Sequence, residues 1–171
     1  MLQFRDSKEA FQDSSSEDEL DTPGDDNADF LFGMTPASHQ TAALHPGPSH
    51  ILKLWQIYLA NVNPLMKIIH RPTVHPIIVD ATTDVEHVPR GPEALLFAIY
   101  TAAVLSMRDA ECEVTFGESR SSLLARYRLG TRRSLTRAKL MGTSDLVVLQ
   151  AFVIYLVSQI HMRLFRFQVW R

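Results

Sequence analysis

The clearest helical pattern in the chain begins after Ser49 and ends at Asn63-Pro64. Ser49 is a preferred N-cap residue, and the residue before a proline avoids the α region. At about 100° per residue, the apolar side chains between these points fall within one arc of roughly 160°. They are Ile51, Leu52, Leu54, Trp55, Tyr58, Leu59 and Val62. We therefore predict an amphipathic helix, helix A, followed by a short helix from Pro64 through Ile69.

The next stretch, residues 73–90, shows no clear period; Pro72 precedes it and Pro76 interrupts it. Proline lacks the amide donor that a helix interior needs, so the pattern predicts a connector here. Its apolar residues are expected to pack beneath the core: Val74, Ile77, Ile78 and Val79.

A second helix, helix B, is predicted from about Gly91 to Met107, with Pro92 in its first turn and Glu93 placed favourably for the helix dipole. It is apolar on nearly every side, which is typical of a helix buried in a bundle or in a membrane. Its apolar run of about 14 residues is short of the roughly 20 needed to span a bilayer. Burial within a bundle is therefore predicted.

The C-terminal half predicts a brief turn from Asp109 through Thr115 and a third helix, helix C, from about Gly117 to Ala138. Its apolar residues project to one side. Gly130 lies inside helix C, where glycine is expected to weaken it by about 1 kcal/mol relative to alanine.

Helix D is expected to start at Thr143 or Ser144, with Asp145 in its first turn. Polar residues interrupt its apolar run before it reaches membrane-spanning length. They are Gln150, Ser158, Gln159 and His161. The pattern as a whole predicts an all-α fold, a partial helical bundle of about four to five helices over residues 50–171. Residues 1–49, polar and rich in turn formers, predict a disordered acidic segment or linker.

Charge is distributed unevenly: residues 1–35 carry a net charge of −8, and the remainder carries +6. A small apolar cluster lies among the acids, at Phe30, Leu31, Phe32 and Met34. Its composition resembles an amphipathic activation segment, in which acids keep apolar side chains exposed for a partner's groove. The alternative interpretation is an inert linker.

Helix C carries six cations on the arc that complements its apolar side: Arg126, Arg128, Arg132, Arg133, Arg137 and Lys139. Such a face can bind phosphates, because neutralising them releases counterions. The arc contains no aromatic side chains that could stack on bases, and no Asn or Gln that could read base edges. We therefore favour a solvated or protein-contacting face over direct contact with nucleic acid.

Candidate catalytic and metal chemistry is sparse. Cys112 is the only cysteine, which indicates a reducing compartment and leaves no intrachain disulfide. No two of the seven histidines lie at i, i+4 spacing on a helix. The segment 116–120 (Phe-Gly-Glu-Ser-Arg) lacks the second glycine and the preceding strand of a nucleophile elbow. The sequence therefore predicts neither an enzyme nor a bound cofactor.

Four stretches carry a resemblance to a known family: residues 54–70, 92–100, 116–128 and 143–152. In this order they resemble the fungal-specific transcription factor domain, the middle homology region of zinc-cluster transcription factors, notably versions encoded near secondary-metabolite gene clusters. The resemblance implies an all-helical regulatory domain in a nuclear activator of RNA polymerase II genes. It implies no catalytic residues. The family's zinc cluster requires six cysteines, so no residues here correspond to its zinc and base-reading roles.

The hypothesis from the sequence is a truncated transcription-regulator domain without its own DNA-binding module. Protein partners are expected, either the transcription machinery or full-length relatives, with homo- or hetero-dimers among them. DNA is expected only indirectly or through a longer parent protein, and no membrane contact is expected. Helices A and D would form a hydrophobic seat for missing parts of the domain or for a partner. Four apolar residues near the C-terminus are expected to be exposed: Phe165, Phe167, Val169 and Trp170. The alternatives are a scaffold, a dimerising inhibitor of full-length relatives, or an inactive gene-model fragment.

Overall fold

The computed structural model describes residues 41–168 of the chain, and the side chains of residues 41–160. Over this part the predicted all-α fold is confirmed, with six α-helices instead of four to five. They are α1 (Pro48–Ile57), α2 (Arg71–Thr83), α3 (Arg90–Leu105), α4 (Asp109–Phe116), α5 (Arg120–Arg137) and α6 (Leu146–Gln168). Two 3-10 turns are also present: Ala42–Leu44 precedes α1, and Leu140–Gly142 lies between α5 and α6. Residues 41–49, expected to be disordered, form the first turn and the start of α1.

Helix α3 lies at the centre of the bundle and packs against α1, α5 and α6. Every residue from Glu93 to Val104 is buried, which confirms the burial predicted for helix B. Each fully buried Leu, Ile or Phe side chain contributes about 1.5–3 kcal/mol through the hydrophobic effect. Helices α1, α5 and α6 thus surround α3. None of the described helices is both long enough and apolar enough to cross a bilayer.

Helix α1 departs from the prediction at both ends. It begins at Pro48 with Gly47 as N-cap, so Ser49 lies inside the helix and its predicted capping role is wrong. The fixed φ of proline suits the first helical position, which explains the earlier start. After Ile57 the helix continues as one π turn, Tyr58–Val62. A turn follows it, so the short helix predicted from Pro64 is also wrong.

The connector predicted over residues 73–90 is wrong in its first half, because α2 occupies it. Pro72 lies in the first turn, where no amide donor is needed. Pro76 lies inside the helix and removes one hydrogen bond, yet Val74 and Ile78 of the same helix are buried in the core. Packing of this face against α1 outweighs the local preference of proline. Of the four apolar residues expected under the core, Val79 is the exposed one.

The junction between α4 and α5 differs from the prediction because Gly117 closes one helix instead of opening the next. Gly117 adopts a φ of 72°, the left-handed C-cap conformation, and its amide donates to the carbonyl of Glu113 at 3.0 Å. Ser119 then caps α5, and its Oγ accepts a hydrogen bond from the Ser122 amide at 3.3 Å. The brief turn predicted from Asp109 through Thr115 is the helix α4, with Asp109 as its first residue and Arg108 as its N-cap.

Gly117→Ala is expected to lower the free energy of unfolding by about 1 kcal/mol, because a Cβ disfavours the left-handed backbone. Urea unfolding of the full chain measures it. Gly142→Ala is the matched control, since Gly142 lies in open space and outside the left-handed region, and a change within about 0.5 kcal/mol is expected there. Equal effects at the two positions would contradict the assigned role of Gly117.

Candidate protein-contact surface

Helix α6 has two apolar faces, and only one of them is buried. Val148, Ala151 and Ile154 are at most 2% exposed and lie on the side that packs against α3. Five apolar side chains on the opposite side are 41–66% exposed. They form what we call the outer stripe: Leu146, Leu149, Val153, Leu156 and Ile160. The stripe lies on the helix that was predicted as helix D, and the hydrophobic seat expected from helices A and D stays a prediction.

The outer stripe repeats at spacings of three and four residues, the spacing of a coiled-coil seam. At 1.5 Å per residue it extends for about 21 Å along α6. An exposed apolar stripe of this kind is a candidate site of protein contact. The four apolar residues predicted to be exposed near the C-terminus lie beyond the residues whose side chains the structure describes.

One border of the outer stripe is formed by basic residues of α5. Arg128 donates from Nη2 to Oε1 of Gln159 on α6 at 2.5 Å. Arg132 lies four residues further along α5, on the same side as Arg128. Lys139, just beyond the end of α5, is exposed. We call Arg128, Arg132 and Lys139 the basic border.

The remaining three cations of the predicted basic face lie on the other flank of α5. Arg126 donates to Glu118 Oε1 at 3.0 Å, and its guanidinium lies 5.0 Å from the centre of the Tyr127 ring. Arg137 forms an ion pair with Glu93 at 2.8 Å. Arg133, between them at spacings of seven and four residues, faces the same way. The structure therefore divides the six cations into two groups, and the role predicted for them stays a prediction.

A polar cluster around the buried carboxylate of Glu93 connects the start of the domain to α3 and α5. Arg137 Nη1 donates to Oε2 of Glu93 at 2.8 Å and to Thr41 Oγ1 at 2.5 Å, and the Thr41 hydroxyl also donates to Glu93 Oε1. His45 Nε2 lies 3.6 Å from that carboxylate, and the His45 side chain is only 1% exposed. The imidazole rests on Phe97, with ring centres 4.1 Å apart. Residues 41–45 are thereby fixed to the bundle.

Two opposed effects set the pKa of Glu93. Burial raises the pKa, whereas the contact with His45, the hydrogen bond from Thr41 and the charge of Arg137 lower it, and the net shift is downward. Glu93 is therefore an ionised carboxylate inside the protein. Sequence reasoning missed this cluster, although one signal was available. An acid in the first turn of a helix that is otherwise apolar all round needs a buried cation or donor near it.

A cavity of about 240 Å³ lies between the π turn, the C-terminal end of α3 and α6. Asn61 Nδ2 donates to Ser106 Oγ at 3.1 Å beside it. Its lining is mostly apolar and contains no acid, base or cysteine: Asn61, Val62, Leu65, Met66, Ala102, Leu105, Ser106, Val157 and Ser158. The cavity is lined by the hydroxyl residues Ser106 and Ser158 but by no carboxylate, imidazole or amine that could activate them as a general base.

The residues that the sequence offered for catalysis or metal binding are placed where they support the fold. Burial raises the pKa of the Cys112 thiol, which makes it less reactive. Ser119, in the segment resembling a nucleophile elbow, is the N-cap of α5. Among the described residues, no three His, Cys, Asp or Glu side chains are grouped so that they could hold a metal ion.

Comparison with known proteins places the chain beside fungal transcription factors. It is 45% identical over 152 residues to the pyriculol/pyriculariol biosynthesis cluster transcription factor 1 of Pyricularia oryzae, which covers 85% of this chain and 20% of that protein. It is 45% identical over 138 residues to the transcriptional regulator nsrM of Aspergillus novofumigatus, covering 81% of this chain and 19% of the regulator.

A third relative, the C6 finger domain transcription factor adaR of Aspergillus niger, is 34% identical over 152 residues, covering 85% of this chain and 19% of that protein. The chain thus spans about a fifth of the length of these relatives. No family model matches the chain, and no solved structure matches it.

Proposed function

We propose that this chain is a regulatory helical region of a fungal zinc-cluster transcription regulator, acting in the nucleus on RNA polymerase II genes of a secondary-metabolite cluster. The observation that supports the proposal most is the similarity over 85% of the chain to a biosynthesis cluster transcription factor. The relatives are transcription factors and regulators, not enzymes. The proposal adds that this region acts by protein contact and contains no DNA-binding module.

The proposed contact surface is the outer stripe of α6 together with the basic border. An apolar stripe about 21 Å long suits a partner segment with apolar side chains at helical or extended spacing. The basic border favours a partner whose apolar residues are accompanied by acids, because complementary charges steer the encounter and suppress other partners. The partner class is therefore an acidic amphipathic segment of another protein of the transcription machinery or of the chain itself.

The cluster Phe30, Leu31, Phe32 and Met34 is proposed as an activation segment; it lies outside the described residues. A fusion of residues 1–171 to a foreign DNA-binding domain is expected to activate a reporter gene in a fungal host. Replacing the four residues with alanine is expected to abolish that activation, because the apolar groups that a coactivator would bind are removed.

The matched control replaces four apolar residues away from the cluster with alanine: Leu2, Phe4, Phe11 and Leu20. This variant carries the same number of alanine substitutions and is expected to retain activity. Reporter output from the wild-type fusion no higher than that of the foreign domain alone would remove the activator proposal.

A second candidate function is a scaffold or dimerising inhibitor that pairs with full-length relatives. The coiled-coil spacing of the outer stripe favours this alternative, because such a seam pairs with another helix of the same kind. Sedimentation equilibrium of the full chain separates the two candidates. A dimer that Leu149→Glu converts to a monomer supports the inhibitor, and a monomer in both cases argues against it.

A further inference from the structure

We infer that the outer stripe of α6 is covered, in the full chain, by residues 25–34 of the same molecule. The inference names an occupant for the proposed contact surface. It rests on geometry and charge within one chain, and it holds whether or not the chain regulates transcription. Three observations carry it: where the N-terminal segment joins the bundle, how far it can reach, and which charges meet.

The N-terminal segment joins the bundle close to the first turn of α6. Thr41 is hydrogen-bonded to Glu93 and Arg137. Gly91, in the same turn of α3 as Glu93, lies against α6, since a Cβ there would stand 2.7 Å from Oδ2 of Asp145. Asp145 in turn caps α6, accepting a hydrogen bond from the amide of residue 147 at 2.9 Å. The outer stripe begins at the next residue after this cap.

The residues between the apolar cluster and Thr41 are numerous enough to let the cluster reach the outer stripe, and few enough to favour its binding there. Met34 lies seven positions before Thr41, with six residues between them, and a chain of this length spans at most about 25 Å. That distance exceeds the roughly 21 Å length of the stripe. A short tether holds the segment at an effective concentration on the order of millimolar, so a weak contact is sufficient for occupancy.

The charges of the two surfaces are opposite. Asp25, Asp26 and Asp29 precede the apolar cluster, within a region whose net charge is −8. The basic border lies along the same side of α5 that meets α6. Placing the cluster on the stripe therefore brings the acids beside Arg128 and Arg132. A second copy of the chain would present the same stripe and the same cations in a self-complementary contact, and would leave the acids unpaired.

The test uses the full chain with a photoreactive benzoylphenylalanine in place of Phe32, irradiated as a mixture of light and isotope-heavy protein. Cross-links within one molecule are expected on peptides covering residues 146–160. In a Leu149→Glu background these cross-links are expected to fall about tenfold, because the segment would then meet a charge in place of an apolar contact. In a Leu52→Glu background they are expected to persist, since Leu52 on α1 is 40% exposed and Leu149 is 41% exposed.

Three results would overturn the inference: cross-links between light and heavy molecules, cross-links on helices other than α6, or a yield on α6 that Leu149→Glu and Leu52→Glu reduce equally. Helical circular dichroism checks that each variant folds. If Leu149→Glu does not fold, Val153→Glu replaces it, because Val153 is 42% exposed on the same stripe. An inactive reporter fusion with positive cross-links would reject the proposed function and leave this inference standing.

Discussion

Gly130→Ala is expected to lower the free energy of unfolding by about 1–3 kcal/mol through overpacking, although alanine is the better helix former by about 1 kcal/mol. A Cβ at this position would stand 2.9 Å from Cγ of Phe97 and overlap the adjacent ring atoms. The Phe97 ring cannot move aside easily, because it is fully buried and packs against His45 and Tyr100. Gly130 thus lets α5 approach α3 closely.

Urea unfolding of the full chain measures this effect, and a double-mutant cycle identifies its cause. A Phe97→Leu background removes the ring. There, the loss of unfolding free energy caused by Gly130→Ala is expected to be smaller than in the wild type by about 1 kcal/mol or more. Stabilisation by Gly130→Ala in the wild-type background would show that helix propensity governs the position and that the close approach of α3 and α5 is wrong.

Arg137→Met is expected to destabilise the domain by about 3 kcal/mol near neutral pH, because it leaves the Glu93 carboxylate buried without its cation. The side chain of Glu93 is only 6% exposed, whereas that of Arg137 is 31% exposed. Loss of the arginine therefore costs more than loss of a surface ion pair. The Thr41 hydroxyl remains as a donor to the carboxylate but does not neutralise it.

The effect of Arg137→Met depends on pH in a direction that the pKa of Glu93 fixes. In the wild type that pKa is lowered, so the stabilisation from the ionised carboxylate is present above its unfolded pKa and is lost as pH falls through the folded pKa. In the variant the lowering effect of the Arg137 charge is lost, so the pKa of Glu93 rises relative to the wild type and protonation relieves part of the penalty. The difference between the two proteins is therefore expected to shrink from about pH 7 to about pH 4.

Arg126→Met is the matched control for Arg137→Met. Its ion pair with Glu118 is half-exposed on both sides, and such pairs contribute about 0–1 kcal/mol. Urea unfolding of both variants at the two pH values measures the comparison. Equal losses for the two variants, or a loss for Arg137→Met that is the same at both pH values, would contradict the assignment of Glu93 as a buried, paired carboxylate.

The parts of the fold that the sequence predicted are those where local pattern and tertiary packing agree. The continuous apolar run after Pro92 predicted a buried central helix, and α3 is that helix. The helix over residues 71–83 was missed because Pro76 argues against it locally, and only packing against α1 decides in its favour. Gly130 was taken as a weak point of a helix, because its contact with Phe97 joins residues 33 positions apart and leaves no local signal.

The candidate surface was predictable only in part, for a similar reason. Helix α6 is apolar on two opposite faces, and the pattern alone does not tell which face α3 covers. The sequence showed the basic residues of α5 as one arc. In the structure, however, Arg126 and Arg137 form ion pairs with other residues of the same domain. Their partners Glu118 and Glu93 lie 8 and 44 residues away. The contacts that hold Thr41 and His45 against the bundle likewise join residues distant in sequence.

The most direct test of protein contact through the outer stripe is reporter output from the 1–171 fusion carrying Leu149→Glu, compared with the fusion carrying Leu52→Glu. We expect Leu149→Glu to raise output several-fold over the wild type, because the activation segment is released from α6, and we expect Leu52→Glu to leave output unchanged. Output that is the same for both variants and the wild type, with all three proteins folded and equally abundant, would contradict the account.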